Sequence, residues 1–423
     1  MRRSLPLTLL LASALALPAL GATRLTYPIK GHTTAVAWPA AAFPISYQVD
    51  NKILQRMPGA DAVIERAFTS WILPETQIAF RQGGTIDAPA RRAKDGRNVV
   101  SLASTLYADD GFIALTTNWY SDNGDLYESD IELDPSVLQG SYNLPQTLGH
   151  EIGHLLGLDH SAVLTSVMYP WVGRDKEAFV LDSDDRIGIS TIYPKHDFDP
   201  TLSTGTLQGR VVGDSGGVFA AQVVAINDLG QPVATGLTTA TGDFELRGIP
   251  PGEYRIYAEP LDGPVDTNNL AGVWRSSKQA FFKTQFYDDR PLRVEEGRVY
   301  GNLVVTGNGK PELNPRWIAI AEPDASSFSL TTRAVMVKPG QRFSLAVAGD
   351  GFIPLTEFEV LNPGFKRVSD FKHAANYVSA TFEVTPGTAG GSAVILVKSG
   401  SETATLTGAL RVQSAPRKRS VSR

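Results

Sequence analysis

Cysteine is absent from the 423-residue chain, which excludes disulfide bonds and thiolate metal ligands, so packed cores must hold its domains together. A basic excess is also missing, because the formal net charge is −5, and this argues against a nucleic-acid-binding protein. No uninterrupted apolar run reaches the roughly 20 residues that span a bilayer. These absences, with a length sufficient for roughly two to four domains, predict a soluble multi-domain protein.

The N-terminus has the features of an export signal. Two arginines precede the apolar run LPLTLLLASALALPAL (5–20), and the small residues Gly21 and Ala22 follow it. A basic start, an apolar middle and a small-residue end are typical of a secretory signal peptide, cleaved here after Gly21 or Ala22. A membrane anchor is the alternative, but the run is short and contains two prolines. We predict a signal peptide over 1–21 and a secreted, extracellular product with no membrane span after cleavage.

Hydrophobic periodicity predicts an α+β domain over residues 43–198, preceded by an extended segment over 22–42 that lacks a clear period. Alternating apolar residues predict strands, and apolar residues at helical spacing predict three helices. The predicted strands are FPISYQVD (43–50), TQIAFRQ (76–82), RNVVSLAS (97–104), FIALTTNWYS (112–121) and LYESDIELD (126–134). The predicted helices are DAVIERAFTSWILP (61–74), SYNLPQTLGHEIGHLLGL (141–158) and SDDRIGISTIYP (183–194).

The remainder of the chain shows no strong helical period. A polar linker (199–205) leads into short alternating strands and glycine turns over 206–307, which predict an all-β sandwich. A second β unit is predicted over 312–414, and the basic tail 415–423 is predicted to be disordered.

Three of the six histidines lie within the stretch HEIGHLLGLDHS. On a helix, His150 and His154 are one turn apart and face the same side, so both imidazoles can bind one metal ion at about 2.0–2.1 Å. Gly157 permits a sharp turn that brings back His160 as a third ligand. Three nitrogen ligands with one open position indicate a catalytic zinc site, with the carboxylate of Glu151 near the metal. The alternative is a buried helix with incidental histidines, which the complete spacing disfavours.

At this point the sequence resembles a known family. HEIGHLLGLDHS is similar to the zinc signature of the metzincins, and SVMYP to their methionine turn. Ser161 directly after the third histidine, and Met168 eight residues past His160, match the matrixin (matrix metalloproteinase-like, peptidase M10) branch. Flanking stretches that resemble matrixin helices are DAVIERAFTSW and DDRIGISTIYP. The resemblance implies a metzincin-like fold, a twisted mixed β-sheet with three helices.

The same resemblance implies a zinc-dependent endopeptidase that hydrolyses peptide bonds of extracellular proteins. His150, His154 and His160 would bind one catalytic Zn²⁺, and Glu151 would act as general base towards a zinc-activated water. Its partner would be a protein or peptide substrate.

Further residues take roles from the resemblance. Met168 would form an apolar floor beneath the metal, with an ordinary core methionine as the alternative. Tyr169 and Pro170 would line the pocket for the substrate side chain after the scissile bond. FIALTTNWYS would be the edge strand that pairs with an extended substrate, although a purely structural strand explains it nearly as well.

Two features of the family are missing from the sequence. Without cysteine, a thiol switch that blocks the zinc is impossible, and the histidines outside the motif do not lie where a second, structural zinc would need them. Calcium is a further candidate ion, since carboxylate and amide oxygens suit it, and the candidate ligands are Asp122, Asn123, Asp125 and Asp130. The alternative is that these residues form a hairpin turn followed by a solvated strand.

The downstream units resemble other modules. The stretch TTATGDFELRGIPPGEY is similar to a carboxypeptidase-regulatory-like sandwich, and the 312–414 unit has an Ig-like pattern. Neither unit shows a catalytic cluster, and their partners stay undefined. A surface or matrix adhesion protein with a vestigial protease domain is therefore the alternative function, against which the intact Glu151 argues.

Overall fold

The computed structural model describes residues 22–88, 93–103, 112–173, 179–197, 199–275 and 281–413. The predicted signal peptide (1–21) and the predicted basic tail (415–423) lie outside the described residues. Within the described ranges, no helix is long and apolar enough to cross a membrane.

The first part of the chain combines helices with a single larger sheet. Its elements are β1 (Thr26–Ile29), β2 (His32–Ala35), β3 (Ile45–Asp50), α1 (Asn51–Arg56), α2 (Ala60–Thr69), β4 (Phe80–Ile86), β5 (Asn98–Leu102), β6 (Ala114–Tyr120), β7 (Leu126–Leu133), α3 (Pro135–Leu138), α4 (Leu144–Leu155), α5 (Ser183–Ile192) and α6 (Pro200–Ser203). The sheet has the order β4-β3-β5-β7-β6, in which only β6 runs antiparallel to its neighbour. This mixed sheet confirms the predicted fold class.

The three predicted helices correspond to α2, α4 and α5, whereas α1, α3 and α6 were not predicted. At six, four and four residues, these three are too short to show an apolar period. An aspartate cap starts α1 and α3: Asp50 accepts a hydrogen bond from the Lys52 N–H, and Asp134 accepts one from the Ser136 N–H.

The segment predicted as an extended lead-in folds against the domain. β1 and β2 form an antiparallel hairpin, and the backbone N–H of Leu25 donates to the Gly157 carbonyl at 2.9 Å. The indole N–H of Trp38 donates to the Leu155 carbonyl at 2.8 Å, at the end of α4. The lead-in therefore contacts the turn that carries the predicted metal ligands.

The rest of the described chain consists almost entirely of strands. These are β8 (Gly205–Gly213), β9 (Gly216–Gly217), β10 (Gln222–Asn227), β11 (Pro232–Leu237), β12 (Asp243–Ile249), β13 (Gly252–Glu259), β14 (Gln285–Phe286), β15 (Leu292–Val294), β16 (Val299–Thr306), β17 (Asn314–Ala321), β18 (Val335–Val337), β19 (Arg342–Asp350), β20 (Glu357–Val360), β21 (Phe365–Arg367), β22 (Lys372–His373), β23 (Tyr377–Val384), β24 (Gly391–Ser399) and β25 (Glu402–Val412).

These strands form two successive sandwiches, which confirms the predicted all-β architecture. In the middle sandwich, the sheet β11-β10-β13-β14 faces the sheet β12-β8-β16 across an apolar core. In the third sandwich, β17-β19-β23-β21 faces β18-β25-β24-β20. The core of the third sandwich also contains Leu164 and Tyr169 from the first domain. The exact domain boundaries stay a prediction.

Candidate metal centre

Helix α4 carries the first two histidines and is built to pack closely. It begins at the cap Asn143, whose side chain accepts a hydrogen bond from the Gln146 N–H. Two glycines lie inside it, although glycine lowers helix stability. A β-carbon on Gly153 would lie 2.2 Å from the Met168 sulfur, and one on Gly149 would lie 2.7 Å from the Phe179 ring. The glycines therefore let Met168 and Phe179 lie directly against the helix backbone.

The three predicted ligands converge. Gly157 has a φ of +89°, and the left-handed turn after α4 returns His160 towards the helix. The Nε2 atoms lie 3.1 Å apart for His150–His154, 3.3 Å for His154–His160 and 3.2 Å for His150–His160. A tetrahedral zinc ion with bonds of about 2.0–2.1 Å needs about 3.3 Å between ligand nitrogens. The donor set therefore fits zinc.

The outer nitrogens of the rings fix the tautomers. The Nδ1 atoms of His150 and His154 lie 2.8 Å from the carbonyls of Val167 and Leu158, and that of His160 contacts the Asn269 carbonyl. Since a carbonyl only accepts, each Nδ1 carries the hydrogen and each Nε2 presents a lone pair.

Burial keeps these rings neutral, the form that binds a metal. It lowers the pKa of His150 to about 3, with the nearby His160 acting in the same direction. Burial likewise holds the pKa of His154 well below its usual range and lowers that of His160.

Glu151 is held by a residue of the edge strand. The Thr116 hydroxyl on β6 donates to Oε2 of Glu151 at 2.6 Å. Burial raises the pKa of Glu151 to about 7, while this hydrogen bond acts in the opposite direction. Two residues further along β6, and therefore on the same strand face, the Asn118 amide donates to the His154 carbonyl at 2.9 Å. β6 is thereby joined at two points to α4, the helix that carries the candidate ligands His150 and His154.

The loop after the third histidine is anchored by the paired aspartates of α5. The hydroxyl of Ser161 donates to Asp184 at 2.9 Å, and that of Ser166 donates to Asp185 at 2.6 Å. Met168 is buried, and its carbonyl accepts from the Ser161 N–H at 2.9 Å. Its sulfur lies against α4 at Gly153, between the two histidine positions, and its role as an apolar floor beneath the metal stays a prediction.

The predicted pocket residues lie beside a cavity of about 690 Å³ between the first domain and the third sandwich. Tyr169 lines this cavity, is buried, and donates its hydroxyl to the Thr332 carbonyl. Pro170 follows it and is half-buried. Trp171, whose ring centre lies 5.3 Å from that of Tyr169, also lines the cavity.

The four candidate calcium ligands do not lie at one place in the structure. Asp122, Asn123 and Asp125 are exposed around the β6–β7 turn, and Asp122 forms an ion pair with Lys30 at 2.8 Å. Asp130 is buried further along β7 and accepts a hydrogen bond from the Val99 N–H at 3.0 Å. In the described part of the chain, the histidine triad alone brings three or more His, Cys, Asp or Glu ligand atoms within 4.8 Å of one another. A calcium site stays a prediction.

Three residues that support the site were missed from the sequence. Thr116 and Asn118 lie on a strand whose alternating side chains show which residues share a face but not which residues they contact. Asn269 lies more than one hundred residues beyond His160. No local sequence pattern predicts that any of these three residues supports the site.

Comparison with known proteins agrees with this geometry. The family model for matrixins matches residues 37–194. A hatching enzyme of Paracentrotus lividus is 38% identical over 82 residues, which cover 19% of this chain and 14% of that protein. Metalloendoproteinase 1 of Glycine max is 27% identical over 144 residues, covering 31% of this chain and 45% of that protein. The chain thus spans less than half the length of either relative.

Among solved structures, the major pilin subunit of Bacillus cereus is similar at 13% identity, with 50% of this chain and 70% of that chain covered. Its TM-score of 0.16 is too low to support an argument about the fold. The assignment depends on the family match and on the triad geometry. Residues 37–194 therefore form a matrixin domain of the peptidase M10 family.

Proposed function

We propose that this chain is a secreted zinc-dependent endopeptidase that hydrolyses peptide bonds of extracellular proteins. The observation that carries the proposal is the convergence of three neutral imidazole nitrogens at 3.1–3.3 Å beside a buried glutamate. His150, His154 and His160 would hold the zinc ion. When bound, zinc would lower the pKa of water at the site towards about 7 and polarise the scissile carbonyl.

We assign proton transfer to Glu151. Its Oε2 accepts the Thr116 hydrogen bond, so Oε1 is the oxygen that takes the proton from the attacking water. The same atom then returns the proton to the leaving amine. Burial raises the pKa of Glu151 to about 7 in the metal-free site, and a bound Zn²⁺ would lower it, so the carboxylate would be ionised and able to accept a proton near neutral pH.

The substrate is proposed to bind along β6. This strand is the last of the five-stranded sheet, and no described strand pairs with its outer side. An extended peptide can add to such an edge through backbone hydrogen bonds. Thr116 on the same strand contacts Glu151, so a peptide paired there would pass close to the catalytic carboxylate. Tyr169 and Pro170 would then border the pocket for the side chain that follows the scissile bond.

The experiment is a casein or gelatin digestion by the chain without residues 1–21, with and without a zinc chelator. We expect chelator-sensitive cleavage, one zinc ion per chain by elemental analysis, and a loss of about 10²–10⁴-fold in Glu151→Gln. The matched control is Glu65→Gln on the surface of α2, which should cleave normally. Equal turnover by wild type and Glu151→Gln would refute the mechanism. A zinc-binding protein without any peptidase activity would favour the adhesion alternative.

A further inference from the structure

The third metal ligand is positioned from another domain. His150 and His154 use carbonyls of the matrixin domain, but His160 uses the carbonyl of Asn269, which lies 109 residues further along the chain in the middle sandwich. We propose that residues 266–274, the docking segment, are a positioning element of the metal centre that sets the orientation and basicity of the His160 ring. This inference rests on the proposed zinc site.

The docking segment has a defined local structure. Thr267–Asn269 forms a 3-10 turn closed by a reciprocal cap. The Asp266 carboxylate accepts from the Asn268 N–H at 2.7 Å, and the Asn269 side chain accepts from the Asp266 N–H at 2.9 Å. Both ends of the turn are thereby fixed, so the Asn269 carbonyl has a defined direction.

The segment is also attached to the matrixin domain at two further points. The Ala271 N–H donates to Asp159 at 2.9 Å, and Asp159 accepts the His160 N–H at 2.8 Å. The Trp274 indole N–H donates to the Arg24 carbonyl at 3.0 Å, within the N-terminal segment that pairs with the motif turn. One buried carboxylate thus joins the ligand backbone to the docking segment.

The fit leaves no room at Gly272. This residue has a φ of +55°, and a β-carbon on it would lie 1.9 Å from the Thr26 carbonyl oxygen. A side chain there would have to separate the docking segment from the hairpin formed by β1 and β2. Gly272 is therefore the position at which docking can be disturbed without touching a ligand.

The chemical consequence is a coupling between domain docking and metal affinity. A ligating histidine that donates its other N–H to a carbonyl keeps the correct tautomer and is more basic, and loss of such a partner typically weakens metal binding about 10–100-fold. By reciprocity, zinc must stabilise the docked segment by the same factor.

The first test uses the unmodified protein. Hydrogen exchange of the Leu270 to Trp274 amides is measured with and without saturating zinc, with the amides of β12 as the internal control. We expect zinc to slow exchange in the docking segment about 10–100-fold and to leave β12 unchanged. Equal exchange in the docking segment with and without bound zinc would overturn the inference.

The second test measures zinc affinity by chelator competition. Gly272→Val should weaken zinc binding about 10–100-fold. Gly301→Val is the matched control, since Gly301 lies in the same sandwich with no atom within 4 Å of a β-carbon, and it should bind zinc as wild type does. Trp274→Phe keeps an aromatic side chain but removes the indole N–H that donates to Arg24, and it should weaken binding by about 2–10-fold.

The two proposals fail differently. Wild-type affinity in both Gly272→Val and Trp274→Phe would refute the docking role and leave the zinc peptidase intact. Absence of zinc binding by the wild type would refute the proposed function itself. If Gly272→Val fails to fold, Trp274→Phe and the exchange measurement decide.

Discussion

Thr116→Val tests how the edge strand tunes the catalytic carboxylate. The substitution keeps the shape of the side chain and removes one hydroxyl, whose oxygen lies 2.6 Å from Oε2 of Glu151. Glu151 is buried, so water does not readily replace the lost donor. The ionised form of Glu151 therefore becomes less stable, and its pKa rises.

The magnitude follows from the strength of the bond. A hydrogen bond to a charged group contributes about 1.5–3 kcal/mol, and 1.36 kcal/mol corresponds to one pH unit, so the pKa of Glu151 should rise by roughly one to two pH units. Burial already raises this pKa to about 7. At a pH on the acid limb of the activity profile, kcat/KM should therefore fall roughly 10–100-fold.

The assay is the pH dependence of kcat/KM on a quenched peptide. The acid limb should move upward in Thr116→Val, and activity should return as the pH rises. Thr116→Ser retains a hydroxyl and should restore the wild-type profile. Thr117→Val is the matched control because successive strand side chains point to opposite faces. An acid limb that does not move in Thr116→Val would refute the role assigned to this hydrogen bond.

Three further predictions concern packing, pH and metal. Gly153→Ala places a β-carbon 2.2 Å from the Met168 sulfur, so it should lower the free energy of unfolding by about 1–3 kcal/mol in urea titrations; unchanged stability would contradict the close packing. Burial raises the pKa of Asp184 to about 7, above about 3.9 in the unfolded chain, so its contribution to stability is present below about pH 4 and lost as the pH rises through 7. Asp184→Asn should remove this pH dependence of the free energy of unfolding. An unaltered pH dependence in the variant would count against the role of Asp184. A free zinc concentration of about a thousand times the Kd should add about 4 kcal/mol to the free energy of unfolding. A Tm that does not change when a chelator removes the zinc would show that the folded protein does not bind zinc preferentially.

Local spacing explains why the metal site was predictable. His150 and His154 are four residues apart, and the left-handed turn at Gly157 follows within one helical turn, so local backbone geometry already brings His160 back towards the other two histidines. The longer helices were predictable for a related reason, because their apolar faces repeat over several turns.

Short capped elements and loop packing were harder to predict. The N-terminal hairpin was predicted as an extended segment, although it pairs with the motif turn and its Trp38 binds the end of α4. Tyr169 is predicted to line a substrate pocket, which stays a prediction, and the structure places its side chain in the core of the third sandwich. The position of the N-terminal hairpin and that of Tyr169 both depend on which surface of the protein packs against them. The local sequence does not specify that surface.

The sequence by itself predicted the candidate ligand set and the glutamate beside it, and it determined the succession of one α+β and two all-β units. Only the tertiary structure decided which outer partners complete the site: Thr116 on Glu151, and Asn269 on His160. The physical reason is range. Helical and turn periods are set by neighbouring residues, whereas a hydrogen bond between residues 109 positions apart forms only where two domains pack together.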